Sequence, residues 1–283
     1  MRLDFLIGFM VEALAILILA KFARDAFLRR SSGENVNQMV VQKRSIGAAT
    51  SQAGYLIGVL LGFLGAVAVA GPKATFWGTA GSVALAGVTA IILQLLADLI
   101  ADALIFRGVR PPKGETEDDN LTLAVGKAAV SIATGMILRG ALSDPEASFV
   151  MRLAWFGAGQ LVMVIAVLFY CWLTPYDDLR EIRRNNLAAG FPIAGLLLAV
   201  GLVMEAAVGG RPSSSAADAA LAAGKFFLIS VNLVYVFRLI TGYILLPKVK
   251  RAQAIVGDQS LAAGLQEGIS FLLPALIVTF FMT

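Results

Sequence analysis

Among the charged side chains that lie inside long apolar stretches of the chain, five are best placed to do chemistry: Asp98, Asp102, Lys127, Arg238 and Glu267. An ionised side chain in the bilayer interior costs about 3 kcal/mol or more, so such residues face the interior of a helix bundle or a water-filled cavity. They are typical of ion pathways and proton relays, and also of structural ion pairs. Structural pairing and ion conduction are therefore the two roles to weigh.

Long helices must position these side chains. Hydrophobic residues make up 58% of the 283 residues and charged residues only 15%, whereas soluble domains carry about 25% charged residues. Apolar blocks of about 18 or more residues predict membrane-spanning helices, which satisfy their own backbone hydrogen bonds. We therefore predict an all-α integral membrane helical bundle with eight spans, at Leu3–Phe22, Ile46–Ala70, Phe76–Ile105, Leu121–Leu142, Leu153–Leu173, Leu187–Val208, Ala219–Leu246 and Leu261–Met282.

Lysine and arginine residues are distributed unevenly between the two sets of loops. Fifteen lie in the longer loops after the first, third, fifth and seventh spans, and five lie on the opposite side. Because positively charged loops stay in the cytoplasm, this bias predicts a cell (inner) membrane protein with both termini outside and the longer loops inside. It also accounts for the net charge of +4, so no nucleic-acid partner is expected.

Each even-numbered span begins with a polar residue followed by a branched aliphatic residue. The polar residues are Ser45, Asn120, Asn186 and Ser260, which follow one another at intervals of 75, 66 and 74 residues. Serine and asparagine cap helix N-termini by accepting hydrogen bonds from the first turn. The recurrence predicts four helical hairpins, at residues 1–71, 72–142, 143–210 and 211–283. These group into a first pair, 1–142, and a second pair, 143–283.

Superposing the four hairpins places the charged residues in two layers. Lys127 and Glu267 both lie seven residues beyond a cap, or about 10 Å at 1.5 Å per residue. Asp98 and Arg238 are equivalent to each other on the preceding spans. Each layer thus holds opposite charges in the second and fourth hairpins. In a bundle arranged around an axis, we expect two buried ion pairs, Lys127 with Glu267 and Asp98 with Arg238.

A glycine stripe marks the second span. Gly54, Gly58 and Gly62 recur at every fourth residue and share one helix face. Small residues at this spacing let two membrane helices approach closely. The stripe therefore predicts a helix–helix contact and carries no information about activity.

Two residue counts limit the chemistry. The chain has one cysteine, Cys171, and no histidine, which excludes an intrachain disulfide, histidine-ligated zinc and a serine–histidine relay. Asp98 and Asp102 share one helix, so they do not form a dyad on facing helices. We therefore expect a protein that is not an enzyme, with no cofactor and no catalytic, cofactor-binding or metal-binding residues.

One stretch resembles a known family. The residues "YCWLTPYDDLREIRRNNLAAGFPIAGLLLAVGL", 170–202, are similar to the hairpin signature of the bacterial membrane family DUF350: an apolar helix, Thr-Pro-Tyr, a short acidic–basic stretch, Asn-x-Ala-Ala and a glycine-containing helix. The first two hairpins lack Thr-Pro-Tyr. The resemblance implies a multi-pass protein of repeated hairpins and implies no particular activity. Independently of it, Thr174 and Pro175 predict the start of a short helix, with Asp177 as its capping-box acid.

Two functions fit these observations. The first is a small-ion channel or transporter that uses the charged layers as its pathway, because repeats and interior charges are usual in such folds. The alternative is a non-catalytic membrane scaffold of a membrane-stress-type complex. The lipid bilayer is the expected surrounding in both cases. A homo-oligomer and a cytosolic protein partner on the inner loops are further expectations.

Overall fold

A computed structural model of the protein describes residues 3–31, 33, 36–70, 76–109, 120–144, 147–209, 216–245 and 250–282. Within these ranges the chain is helical and contains no strand. Eight helices are long and apolar enough to cross a membrane, so the predicted all-α membrane bundle is confirmed. The α-helices are α1 (Leu3–Ser31), α2 (Val36–Val41), α3 (Ile46–Ala70), α4 (Phe76–Ile100), α5 (Leu121–Leu142), α6 (Phe149–Leu173), α7 (Asp178–Arg183), α8 (Leu187–Gly209), α9 (Ala216–Leu245) and α10 (Leu261–Met282).

Two short π-helical turns adjoin the spans. Ala101–Ile105 continues α4, and Gln253–Gly257 precedes α10. Some of the charges behind the predicted orientation lie outside the described residues, namely Arg2, Lys73, Arg110, Lys113, Arg211 and Lys248.

Four spans form a continuous row, which we call the inner row: α3, α5, α8 and α10. α3 packs against α5, α5 against α8, and α8 against α10. The neighbours run in the same direction, because Gly54 of α3 lies against Ala128 of α5 while Gly65 lies against Arg139, eleven residues further along both helices. All four helices therefore begin at the same end of the bundle, which we call the cap face.

The other four spans lie along this row as an outer layer. α4 packs against α3 and α5, α6 against α5 and α8, and α9 against α8 and α10, while α1 contacts α3 and α4. The outer helices also touch in turn: α4 contacts α6, and the Tyr235 hydroxyl of α9 donates a hydrogen bond to the Ala166 carbonyl of α6 (3.3 Å). The apolar core lies between the two layers.

The glycine stripe of α3 lies at the contact with α5. A Cβ on Gly54 would lie 2.5 Å from Ala128 Cβ, and one on Gly58 would meet the Ser131 backbone. Gly62 faces the side chains of Ala90 and Leu138 instead. Similar close contacts join the later helices of the row, such as Gly195 of α8 with Gly268 of α10. Glycine lets these backbones touch directly.

The hairpin bends share a construction at the cap face. A residue in the left-handed region directly precedes three of the caps: Arg44 (φ 54°), Asn185 (φ 58°) and Gln259 (φ 47°). Such a residue ends the short helical segment before it, as in helix C-terminal motifs. At these three bends, the recurring cap and the residue before it therefore mark the end of one helix and the start of the next.

The four cap side chains accept hydrogen bonds from the first turns of their own helices. The donors are the backbone N–H groups of Ala48 to Ser45 (3.1 Å), Leu123 to Asn120 (2.9 Å), Ala188 to Asn186 (3.2 Å) and Ala263 to Ser260 (3.3 Å). The two asparagines also bond to the next hairpin. Asn120 Nδ2 donates to the Ile182 carbonyl (2.7 Å) and Asn186 Nδ2 to the Ile255 carbonyl (2.9 Å). The asparagine caps therefore join consecutive hairpins. Serine has no side-chain amide, so the serine caps do not make this second bond.

The predicted start of the short helix after α6 is wrong. α7 begins at Asp178, and its cap is Asp177, whose carboxylate accepts from the Arg180 N–H (3.0 Å). Thr174 instead ends α6 and its hydroxyl donates to the Asp178 carboxylate. Aspartate competes well as a cap because its charge favours the positive helix N-terminus.

Candidate functional site: two charged clusters near the cap face

The first charged cluster consists of Arg24, Asp98, Asp102 and Lys127, which lie on α1, α4, its π-helical continuation and α5. Arg24 is almost fully buried, and its guanidinium donates to the Ser51 carbonyl and to Ser51 Oγ, both at 2.6 Å. Its Nη2 lies 4.0 Å from Asp98 Oδ2. The guanidinium therefore joins three helices and places a positive charge beside the Asp98 carboxylate.

The remaining members of the first charged cluster pair across α4 and α5. Lys127 Nζ lies 2.9 Å from Asp102 Oδ1, and the Asp102 side chain is 47% exposed. Ser131 Oγ donates to Asp98 Oδ1 (3.2 Å). The two cations and two carboxylates balance, so the first charged cluster is formally neutral.

Several uncharged polar groups surround the first charged cluster. Gln94 Nε2 donates to the Ser131 carbonyl (2.9 Å), and the Arg24 guanidinium lies over the Tyr55 ring at 4.8 Å. The Tyr55 hydroxyl, Gln94 Oε1 and both amide atoms of Gln52 are buried without a hydrogen-bond partner within the described chain. Polar groups in a bundle interior are usually satisfied by protein, water or an ion.

The second charged cluster consists of Arg238, Arg251 and Glu267. Glu267 is only 3% exposed and forms ion pairs with Arg238 of α9 and with Arg251, whose Nη1 lies 3.3 Å from Glu267 Oε2. The Arg238 guanidinium also lies over the Phe271 ring at 4.7 Å. One carboxylate therefore faces two guanidiniums, and the second charged cluster carries a formal charge of +1.

A cavity of about 380 Å³ adjoins the second charged cluster. Besides the cluster, its lining includes three tyrosines and one further cation, namely Tyr170, Tyr176, Tyr235 and Lys250. Thr174, Pro175 and Tyr176, the Thr-Pro-Tyr of the family-like signature, also line it. The motif therefore forms part of a wall between the end of α6 and the charged residues of α9 and α10.

The predicted pairs between the second and fourth hairpins are wrong. Lys127 pairs with Asp102 and Glu267 with Arg238, so each bond lies within one hairpin. Asp98 faces Arg24 of the first hairpin instead of Arg238. The cause is the arrangement of the inner row, in which α8 lies between α5 and α10. Equivalent positions lie equally far from the starts of their helices but do not meet at an axis.

A buried carboxyl lies beside the cavity, on the loop side of α6. Asp178 is 1% exposed and accepts the Thr174 hydroxyl, while its Oδ1 has no hydrogen-bond partner among the described residues. Burial raises the pKa of Asp178 to about 7. Burial thus favours the neutral form of this carboxyl.

Two members of these clusters, Arg24 and Arg251, have no direct signal in the sequence. Arg24 follows the apolar run of the first predicted span and Arg251 precedes that of the last, so hydropathy assigns both to loops. In the described part of the chain, no group of three histidine, cysteine, aspartate or glutamate residues is arranged to hold a metal ion.

Comparison with known proteins gives two matches along the whole chain. The family model described as Domain of Unknown Function (DUF350) matches residues 3–142 and again residues 146–282. Each match spans two of the four hairpins and contains one of the charged clusters.

A curated relative supports the same classification. The chain is 20% identical to a UPF0719 transmembrane protein of Aquifex aeolicus (strain VF5), over 95% of this chain and 97% of the relative. No solved structure matches the chain.

Proposed function

This chain belongs to the DUF350 family of multi-pass membrane proteins, and we propose that it is a small-ion channel or transporter of the cell (inner) membrane. The observation that carries the proposal is the pair of charged clusters, one in each family match, at equivalent depths in the bundle. A bundle held together only by apolar and glycine contacts would not need ionised groups, which are costly in the membrane. Their repetition in both halves supports a single polar pathway to which both charged clusters contribute.

The groups around the first charged cluster support the same proposal. Tyr55, Gln94 and Gln52 present polar atoms to the interior of the bundle that the described chain does not satisfy. Together with Asp98 and its serine partner they offer both oxygen acceptors and donors close to the membrane interior. Such surroundings exchange readily with water or a small ion. The chemistry proposed is ion binding and movement, not a catalysed reaction.

Reconstitution tests this function. Purified protein in liposomes should carry a flux of K⁺, Na⁺, H⁺ or Cl⁻ above that of protein-free liposomes, measured with ion-sensitive dyes. The double variant Lys127→Met, Asp102→Asn removes the pair between α4 and α5 together, leaving no unpaired charge. Because Asp102 is half-exposed, we expect this variant to fold and to lose the flux.

Arg180→Gln provides the matched control. Arg180 is exposed on α7, outside both clusters, so its loss should leave the flux unchanged. An absence of flux for all four ions, or a double variant that conducts like the unaltered protein, would contradict the proposal.

We propose further that the cap face lies in the cytoplasm, in keeping with the positive charge of its loops. Single cysteines introduced at Gln42, near the cap face, and at Ala217, at the opposite face, test this in a Cys171→Ser background; both positions are exposed. An impermeant thiol reagent applied to intact cells should label only the cysteine at 217. Labelling at 42 alone would reverse the orientation.

The alternative function is a non-catalytic scaffold that docks a cytosolic protein. Exposed arginines of the third bend favour it, since Arg180, Arg183 and Arg184 all lie on the surface of the cap face. A scaffold would show no flux, and the Arg180→Gln variant would weaken its assembly. The flux assay with its control therefore separates the two functions.

A further inference from the structure

We propose that the cavity beside the second charged cluster binds a phosphate group, carried by free inorganic phosphate or by the headgroup of an anionic lipid. The inference concerns binding alone and stands whether or not the protein conducts ions. It rests on the charge of the lining, the donors that the lining presents and the place where the cavity opens.

The charge of the lining differs from that of the first charged cluster. Two cations and two carboxylates balance in the first charged cluster, whereas Glu267 alone faces Arg238 and Arg251. Lys250 adds a further positive charge to the cavity wall. The ionisable arginine, lysine and glutamate side chains of the lining thus sum to +2. Unbalanced positive charge in surroundings of low dielectric constant favours an anion.

The donors suit a phosphate group in particular. A guanidinium presents a planar fork of N–H groups that matches two phosphate oxygens, and lysine adds a point charge. Tyr176 also lines the cavity. Its hydroxyl oxygen accepts the hydroxyl proton of Tyr170, which leaves its own O–H able to donate a further hydrogen bond.

The position of Arg251 is fixed before any ligand arrives. Glu267 holds its guanidinium from one side. On the other side the guanidinium lies across Gly242 of α9, where a Cβ would come within 2.6 Å of Nη2. Glycine at this position makes room for the arginine. A donor that is already in place loses less entropy on binding.

The cavity opens where lipid phosphates are found. Its rim residues Leu173, Pro175 and Lys250 are exposed, and Leu173 is the last residue of a membrane span. Trp172 and Tyr243, near the ends of the two helices beside the mouth, are exposed as well, and such aromatic residues favour the headgroup level. A headgroup phosphate and a phosphate ion from the adjoining solvent both have access.

Direct binding measurements test the proposal on the full-length protein in detergent and in lipid nanodiscs. The probes are inorganic phosphate, and phosphatidylglycerol added to a phosphatidylcholine background and detected by native mass spectrometry. The double variant Lys250→Gln, Arg251→Gln should weaken binding at least about tenfold, since two charge-assisted contacts are lost. Arg180→Gln with Arg183→Gln removes two exposed arginines from the same face and should bind like the unaltered protein.

The two probes separate the sources. Binding of inorganic phosphate in delipidated detergent solution identifies a free anion, whereas retention of phosphatidylglycerol without phosphate binding identifies a lipid headgroup. Gly242→Ala is a second variant that keeps every charge but displaces Arg251, and it should weaken binding in a stable protein. If the double variant does not fold, phosphate binding by the single variants Lys250→Gln and Gly242→Ala tests the proposal instead. Binding of neither probe, or binding unaffected by these variants, overturns the proposal.

Discussion

Replacing Gly58 by leucine should lower the free energy of unfolding by at least about 3 kcal/mol, the upper end of the range for overpacked sites. Gly58 lies where the backbones of α3 and α5 touch, and a Cβ there would meet the Ser131 carbonyl and come 2.5 Å from Gln94 Nε2. No rotamer relieves a clash with backbone. The two helices would separate, and the Gln94 side chain of α4, which the new atoms would displace, would lose its hydrogen bond to the Ser131 carbonyl.

Gly157→Leu is the matched control for this substitution. Gly157 lies on α6, where a Cβ would have no neighbouring side chain or helix within 4 Å. Leucine is also a better helix former than glycine. The unfolding midpoint in detergent should therefore fall for Gly58→Leu and hold or rise for Gly157→Leu. Equal behaviour of the two variants would show that the close approach of α3 and α5 does not stabilise the bundle.

The second large effect is expected at Glu267. Glu267→Gln removes the one carboxylate that faces Arg238 and Arg251, leaving two cations close together in the interior. Removing one partner of a buried pair typically costs about 3–5 kcal/mol. The additional change Arg238→Met should recover much of the loss, because a single guanidinium then remains, and that of Arg251 is the more exposed of the two.

Asp102→Asn tests the same chemistry at an exposed site. Its partner Lys127 is equivalent in the repeat to Glu267, yet the Asp102 side chain is half in solvent. Lys127 is 18% exposed, so the pair is partly buried, and this variant should lose less stability than Glu267→Gln, whose carboxylate is 3% exposed. The double-mutant cycle of Arg238 and Glu267 tests the larger effect. If the stability losses of the two single variants simply add in the double variant, the two residues do not interact.

The eight helices could be predicted because long apolar blocks have few alternatives in a bilayer. The residues at which the helices begin and end could be predicted less accurately. The first apolar run ends at Phe22, but α1 continues to Ser31, since Arg24 is buried and bonded to Ser51. Hydropathy counts such a residue as a loop signal. Hydrogen bonds to Ser51 of α3 offset the cost of burying Arg24. The sequence of α1 alone does not reveal this partner.

The depth of the charged residues was predictable, whereas their partners were not. A repeat fixes how far Lys127 and Glu267 lie from their caps, so both stand in the same layer. Which residues meet depends on whether the hairpins surround an axis or stand in a row, and the repeat period is the same in both cases. The later contacts also use glycines, but those of α8 are unevenly spaced, and on α10 the four-residue spacing of the α3 stripe occurs once, between Gly264 and Gly268.

The inner row also bears on how the protein is made. Each hairpin packs chiefly on the hairpin synthesised just before it, through α3 and α5, then α5 and α8, then α8 and α10. A hairpin leaving the ribosome therefore finds its binding surface already inserted, and no early segment waits for a distant late one. Contacts between neighbours in sequence favour fast, stepwise assembly. The caps Asn120 and Asn186 would then close the second and third junctions as the following bend arrives.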